Sequence, residues 1–250
     1  MKTKLAVIVL ARNEERNIGD CLRSAAFADE LLVIDSGSRD RTREQAEAAG
    51  ARWLLHPMDE TGFAGQRNFA LSQTEADWVF YLDADERVDD SAREAILAAV
   101  RGGEQAAYAI ERQNIVFGQR MGYGDHRPDK VVRLFPRSSV RWEGAVHERP
   151  VTELPRHRLA GHLDHYTYTD WERYFDKFNQ YTSLMARRML EEGKGAGFLD
   201  ILLHPLFAFC RFYFLRLGFL DGKQGFIFAA YHYFYTMAKY VKLYYWQRGR

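Results

Sequence analysis

Two cysteines, six prolines, a net charge of +1 and no long apolar run are what this 250-residue chain has little of. Each scarcity excludes something. Cys21 and Cys210 lie far apart, in helix-like and apolar settings, so no disulfide framework is expected and a reducing compartment is the default. A near-neutral chain is not a nucleic-acid binder by bulk charge. The apolar run Leu5 to Ala11 is short and charges follow at once, so no secretory signal is expected. The longest stretch without a charged side chain, 224–238, has 15 residues, and only ten separate Asp200 from Arg211. Both fall short of the roughly 20 that a spanning helix needs, so spanning is not expected. There is no repeat and no low-complexity linker, and a chain of this length can bury a full core as one α/β unit.

What charge there is lies unevenly. Residues 194–250 carry eight Lys or Arg against Asp200 and Asp221, a net +6, which leaves −5 for residues 1–193. The same tail is dense in Phe, Tyr and Leu. Helices lying in the interface of an anionic cytoplasmic leaflet fit that combination. Tyr231, Tyr233, Tyr235, Tyr240, Tyr244, Tyr245 and Trp246 suit a belt at headgroup level. Packing on the rest of the chain, or self-association into a homo-oligomer, is the alternative for these aromatics.

The first 104 residues alternate strands with helices. Leu5–Leu10, Glu30–Ile34, Ala51–Leu55 and Val79–Leu82 read as strands, with helical spacing between them. Such alternation argues for a parallel sheet, whose ligands bind beyond the carboxyl ends of its strands. Polar clusters at Asn13, Asp35 and Asp83 fall at those ends. In Tyr81-Leu-Asp-Ala-Asp-Glu86 two carboxylates one residue apart follow an apolar run. Asp83 and Asp85 can reach one hard cation there and leave positions open for phosphate oxygens.

The segments Ala11-Arg-Asn-Glu-Glu15, Asp35-Ser-Gly-Ser38, Gly65-Gln-Arg-Asn68 and Leu82-Asp-Ala-Asp-Glu86, in that order, resemble family 2 glycosyltransferases. Arg133-Leu-Phe135, Trp142-Glu-Gly-Ala-Val-His-Glu148 and Leu163-Asp-His165 are similar to the same family's acceptor half. The resemblance covers residues 3–170. With Gly218-Phe-Leu-Asp-Gly222 and Lys239-Tyr240, the set is similar to bacterial lipopolysaccharide-core enzymes that glucosylate the inner-core heptose (β-1,4-glucosyltransferases).

The resemblance implies an α/β fold of the GT-A type with a mixed, mostly parallel central sheet, followed by a C-terminal aromatic-rich helical extension. It implies a glycosyltransferase domain over 1–190, with a nucleotide-sugar half at 1–104 and an acceptor half at 105–190. Residues 191–250 would form the basic, membrane-associating helical region. The implied reaction is inverting and metal-dependent, moving a hexose (glucose first) from a UDP-sugar to a hydroxyl of an inner-core or other lipid-linked glycan at the cytoplasmic face of the membrane. Capsule, exopolysaccharide or protein acceptors are the alternatives.

Site roles follow from the same likeness. Asp83 and Asp85 would hold Mg²⁺ or Mn²⁺, with His165 a further ligand and His162 a weaker candidate. Asp35 would accept the uracil N–H, Leu10 and Ala11 would line the nucleotide, and Arg67 would sit beside the pyrophosphate. Asn13, with Glu14, either caps the first helix or contacts the nucleotide, while Ser38 or Asp40 suits a helix cap. Glu148 occupies the base position, with Glu143 and His147 as the other candidates. Trp142 serves either acceptor stacking or the core.

Over 105–160, Arg112, Asn114, Arg120, His126, Arg127, Lys130 and Arg133, with Gly118, Gly122 and Gly124, read as cationic flexible loops for a phosphorylated acceptor or a lid. Trp171, Tyr174, Phe178, Tyr181 and Met185 form the stripe of an amphipathic helix and are read as packing. Two other classes fit less well. A sugar nucleotidyltransferase would show a Gly-rich, basic loop after its first strand, where this chain has Ala11-Arg-Asn-Glu-Glu15. A non-catalytic membrane adaptor would not need Asp83, Asp85 and Glu148.

Overall fold

The computed structural model describes residues 3–144, 148–168 and 171–249, with backbone alone for Arg173. Two compact units result, Met1–Gln113 with Asp129–His165, and Asn114–Pro128 with Tyr166–Arg250.

In the first unit the alternation runs β1 (Leu5–Ala11), α1 (Ile18–Ser24), β2 (Glu30–Asp35), α2 (Thr42–Ala48), β3 (Arg52–Leu55), α3 (Gly62–Ser72) and β4 (Trp78–Asp83). Then come β5 (Glu86–Val88), α4 (Asp90–Gly102), β6 (Ala107–Val116), β7 (Gln119–Arg120), β8 (Asp129–Pro136), β9 (Arg141–Glu143), β10 (Arg149–Val151) and β11 (Arg156–Tyr168). The central sheet is mixed, in the order β3-β2-β1-β4-β8-β6-β11-β5, and β7 pairs with β6. Its first four strands are parallel. β8 runs antiparallel to β4 and β6, and β5 antiparallel to β11. β9 and β10 form a separate antiparallel pair. This is the α/β, GT-A type architecture that the resemblance implies.

The central parallel strands are apolar without a break because both faces are covered. Val7, Val9, Val33, Phe80 and Leu82 point to one side with α1 and α4, while Ala6, Ile8, Leu32, Ile34, Val79 and Tyr81 point to the other with α3. That is the two-residue period of a strand written into two cores. Register then aligns the strand ends: Leu10 lies opposite Asp83, and Ala11 opposite Asp35.

Residues 105–160 correct the expectation of flexible loops. Most of this stretch is strand, and Arg112 and Arg133 sit in β6 and β8. The polar run Glu111-Arg-Gln113 hid β6, whose Tyr108 and Ile110 are buried. Gly118 and Gly124 do occupy left-handed positions (φ 80° and 65°).

In the second unit, α5 (Trp171–Glu191) is the amphipathic helix that the stripe predicts. It is followed by α6 (Phe198–Cys210), a π-helical turn (Arg211–Leu215), a 3-10 turn (Gly218–Asp221) and α7 (Gly222–Trp246). Tyr174 and Phe178 pack on Tyr231 with ring centroids 4.3 and 5.1 Å apart, whereas Tyr181 and Met185 are exposed. Val116 and Met121 join Phe212 and Phe228 in the same small core. The compact units divide at 165, with 114–128 joining the helical part. Aromatic packing between α5 and α7 decides this. It also engages two of the seven aromatics expected at headgroup level, Tyr231 and Tyr235, while Tyr240 stacks on His204 of α6 at 4.4 Å.

One glycine has a steric task in the first unit. Asp89 caps α4 by accepting from Ala92 N at 2.8 Å, and the same Oδ1 accepts from His162 N at 3.0 Å. Gly161 (φ 77°) lies so close that an added Cβ would stand 2.2 Å from Ala92 N. Gly161→Ala is expected to cost about 2–4 kcal/mol, from left-handed strain plus backbone displacement. Urea unfolding measures it, and an unchanged midpoint would show that β11 moves aside at no cost.

Candidate active site

The carboxyl ends of β1, β2 and β4 open on a cleft of about 380 Å³. Leu10, Ala11, Glu14, Arg67, Asp83, Asp85, Glu148 and His165 all line it, so most of the sequence candidates converge from segments far apart in the chain. Arg12, Ser36, Met58 and Phe63 line it too and were not singled out from sequence.

Asp83 ends β4, and the turn to β5 carries Asp85. Arg87 closes that turn by donating to the carbonyls of Ala84 (2.9 Å) and Glu86 (2.8 Å). Both oxygens of Asp83 are engaged. Oδ1 accepts from Arg67 Nη2 at 3.0 Å and Oδ2 from Arg133 Nη2 at 2.5 Å. Arg133 also donates to Glu86 Oε1 at 2.7 Å, and Glu86 Oε2 accepts from Asp83 N at 3.0 Å. Arg112 approaches Glu86 at 3.6 Å while pairing with Asp129 at 2.8 Å. Arg133 and Glu86 are buried. Burial disfavours the ionised form of Asp83, yet the Arg133 and Arg67 guanidiniums outweigh it and hold the carboxyl well below the usual carboxylate range. For Glu86 burial wins, and its pKa is raised. Burial also pushes the Cys21 thiol far up, leaving it a neutral donor to the Asp83 carbonyl at 3.4 Å.

Arg67 lies on α3 and is itself buried. Its guanidinium sits 4.6 Å from the Trp142 ring centroid and reaches Glu148 Oε1 at 3.6 Å. Its Nε and Nη1 are buried with no hydrogen-bond partner among the described residues. One arginine thus links the first acid of the pair to the acid expected to be the base. Trp142 is a core residue, edge-on to Tyr81 at 4.9 Å, and does not line the cleft. Asn68, beside Arg67 in sequence, clamps β9 by exchanging two hydrogen bonds with the Trp142 backbone (2.9 and 2.8 Å).

His165 Nε2 lies 3.4 Å from Asp85 Oδ2, and both face the cleft. His162 is turned elsewhere, between Asp89 and Asp164 at 3.2 Å each. No set of three or more His, Cys, Asp or Glu side chains stands ready for a metal ion among the described residues. The carboxylate and imidazole of Asp85 and His165 fit a partial set whose remaining positions a nucleotide's oxygens can fill. Asp83 does not project free oxygens into that set.

The other candidates have local partners. Asp35 is buried and accepts from Gly37 N (2.9 Å), Ser38 N (2.8 Å) and Ser38 Oγ (2.5 Å); Ser36, not Asp35, lines the cleft. Asn13 does not cap α1, whose flanking residue is Asn17. In a left-handed conformation (φ 57°), it instead joins the β1 and β2 loops, donating from its backbone to Ser38 Oγ and accepting from Arg39 N. Asp40 accepts from Thr42 N at 3.1 Å just ahead of α2, whose flanking residue is Arg41. Glu14 N donates to Thr42 Oγ1 at 2.7 Å. Glu143 pairs with Arg141 at 2.8 Å and does not line the cleft. His147 falls outside the described residues.

Sequence reasoning missed the buried pair Glu86 and Arg133. The signal available was an Arg inside the apolar run Val131-Val-Arg-Leu-Phe135, where a charge needs a buried partner. Arg133→Met is expected to cost about 3–5 kcal/mol by leaving Glu86 unpaired, and the double variant Arg133→Met with Glu86→Leu to recover most of it. Thermal unfolding of both variants decides; a single variant as stable as wild type would remove the network from the fold's foundations.

Comparison with known proteins gives the family. The family model "Glycosyl transferase family 2" matches residues 6–147. The lipopolysaccharide core biosynthesis glycosyltransferase LpsC of Rhizobium meliloti is 31% identical over 95% of this chain and 92% of its own length. A glycosyltransferase of Rickettsia prowazekii is 26% identical over 90% of this chain and 81% of its own. Among solved structures, Staphylococcus aureus TarS is 20% identical, with a TM-score of 0.42 over 54% of this chain and 29% of its own. Glucosyl-3-phosphoglycerate synthase from Mycobacterium tuberculosis, in complex with Mn²⁺, UDP and glucosyl-3-phosphoglycerate, is 26% identical. Its TM-score is 0.37 over 46% of this chain and 45% of its own.

Proposed function

The chain belongs to glycosyltransferase family 2, and from that premise we propose that its cleft transfers a hexose, glucose first, from a UDP-sugar to a hydroxyl of a lipopolysaccharide inner-core or other lipid-linked glycan. The observation that carries this reading is the convergence of Arg67, Asp83, Asp85, Glu148 and His165 on one cleft at the carboxyl ends of parallel strands. The acceptor rests on the relative named for core biosynthesis and on the tail motifs. The donor rests on the residues that the family resemblance matches.

Mg²⁺ or Mn²⁺, held by Asp85 with His165, would neutralise charge on the leaving diphosphate. Arg67 would grip a diphosphate oxygen through Nη2, the nitrogen that reaches both Asp83 and Glu148. Each contact that Arg67 makes to phosphate loosens its hold on Asp83 and Glu148 and frees those carboxylates. Asp83 then becomes available to the metal or the sugar. Leu10 and Ala11 line the nucleotide with backbone groups, and Asp35 shapes the β2 loop and presents its edge to the base. Glu148 takes the proton of the acceptor hydroxyl as that oxygen attacks the anomeric carbon. UDP leaves from the opposite side, and the configuration inverts. The enzyme would work at the inner face of the cytoplasmic membrane, where such acceptors are assembled.

Calorimetric titration with UDP and a panel of UDP-sugars, with and without Mn²⁺, tests the donor site. Metal-dependent binding, tightest for one sugar, is expected, and Asp85→Ala should abolish the metal dependence. If no uridine nucleotide binds, the donor assignment fails. Glu148→Gln is expected to keep UDP binding and to lower kcat by about 10²–10⁴. Transfer at the wild-type rate in that variant would remove Glu148 as the base.

A further inference from the structure

The helical unit carries a surface that the transfer chemistry does not explain. α6 and the π-helical turn form one continuous stretch, Phe198–Leu215, long and apolar enough to cross a membrane by length and composition, and only 11% of it is buried. The charge count in the sequence hid this stretch, because the helix continues through Arg211. Its cross-section says how it is used. At about 100° per residue, Phe198, Leu199, Leu202, Leu203, Leu206 and Phe207 fall within one half of the circumference. That half contains no charged side chain. Asp200, His204 and Arg211 fall on one narrow strip beside it. Asp200 and His204 pair there at 3.1 Å, and His204 stacks on Tyr240 of α7. Ile201, Pro205 and Ala208 fall on the remaining sector, where Pro205 is buried and the other two are half-buried.

The apolar surface continues past α6. Phe214, Leu215, Leu217, Phe219 and Leu220 are exposed, so eleven large apolar side chains between 198 and 220 are 43% to 71% exposed. Soluble monomers rarely show an apolar patch of that extent. The segment is built to hold this form. Asp221 is buried and accepts from Gly122 N and Tyr123 N at 2.9 and 3.0 Å. Gly225 lets α7 pass so close to the turn that an added Cβ would stand 1.7 Å from Gly218 O. The motif Gly218-Phe-Leu-Asp-Gly222 thus pins Gly218 and Asp221 inward while Phe219 and Leu220 face out. Arg211 and Lys223 are exposed at the two ends of this connection.

We propose that α6 and the 211–220 connection form a monotopic anchor that lies in the plane of an anionic membrane leaflet, with the Leu/Phe half of α6 in the acyl region. A spanning orientation would carry the Asp200–His204–Arg211 strip through hydrocarbon; an in-plane one keeps the strip at the headgroups. The net +6 of residues 194–250 selects an anionic surface over a second copy of this chain, which would bring like charge against like. The inference deepens the membrane location proposed above, and its test reads lipid binding with no donor and no turnover, so failure of either reading is separable.

The full chain is co-sedimented with phosphatidylcholine vesicles with and without phosphatidylglycerol. Binding that needs the anionic lipid is expected, and Leu203→Glu with Phe207→Glu should weaken it at least about tenfold with circular dichroism unchanged. Spin labels at Phe198→Cys and Phe207→Cys, each in a Cys210→Ser background, stand about 13 Å apart along the helix. Equal depths in the bilayer support the in-plane anchor. A depth difference near that full separation overturns it in favour of a span. So does a wild type that stays in the supernatant, a double variant that binds as well as wild type, or a lipid-free oligomer that the same substitutions dissolve without any vesicle binding in the wild type.

Discussion

A guanidinium buried between two carboxylates is the constraint on which the candidate site depends. Arg133 enters from β8, the first antiparallel strand of the sheet, and meets Asp83 at the end of β4 and Glu86 at the start of β5. An ion taken out of water is tolerated only when its partners are close and its hydrogen bonds are made. Asp83 therefore cannot be placed independently of the sheet: its carboxylate orientation, its low pKa and the turn that presents Asp85 follow from one buried network. The network also ties the parallel half of the sheet, which supplies nucleotide-type loops, to the antiparallel half.

Arg67 plays the complementary part. It is buried like Arg133, keeps two nitrogens without a partner among the described residues where Arg133 keeps one, and touches both Asp83 and Glu148. A charge held in this way is costly in isolation and becomes well satisfied when an anion arrives. One cation thus holds two acids of the cleft. Arg67 comes from α3 and Asp83 from the end of β4, the element that follows it in the chain.

The helical unit follows another physical rule. Its interior is aromatic packing between α5 and α7, and its exterior along α6 is Leu and Phe. In the sequence both populations look alike, as a tail dense in aromatics and cations. Burial separates them: the tyrosines expected at a membrane surface, Tyr245 apart, are half-buried, and along α6 the residues left facing outward are Leu and Phe, with no polar tip.

The sequence by itself determined the parallel strands, because a strand covered on both faces must be apolar throughout. It also determined the three polar clusters at their ends, because ligand-facing loops begin where apolar runs stop. Order and spacing of the motifs were enough for the family, for Asp83, Asp85, Arg67, Glu148 and His165 as candidates, and for α5 as an amphipathic helix. Only the tertiary structure decided that Arg112 and Arg133 are strand residues serving Glu86 and Asp83. It likewise turned Asn13 into a loop clamp, left Asp35 satisfied by its own turn and placed Trp142 in the core. Arg133 and Trp142 meet partners 50 and 74 residues away, and Asn13 partners 25 and 26 away, and local sequence does not encode which side chain a distant segment will bring.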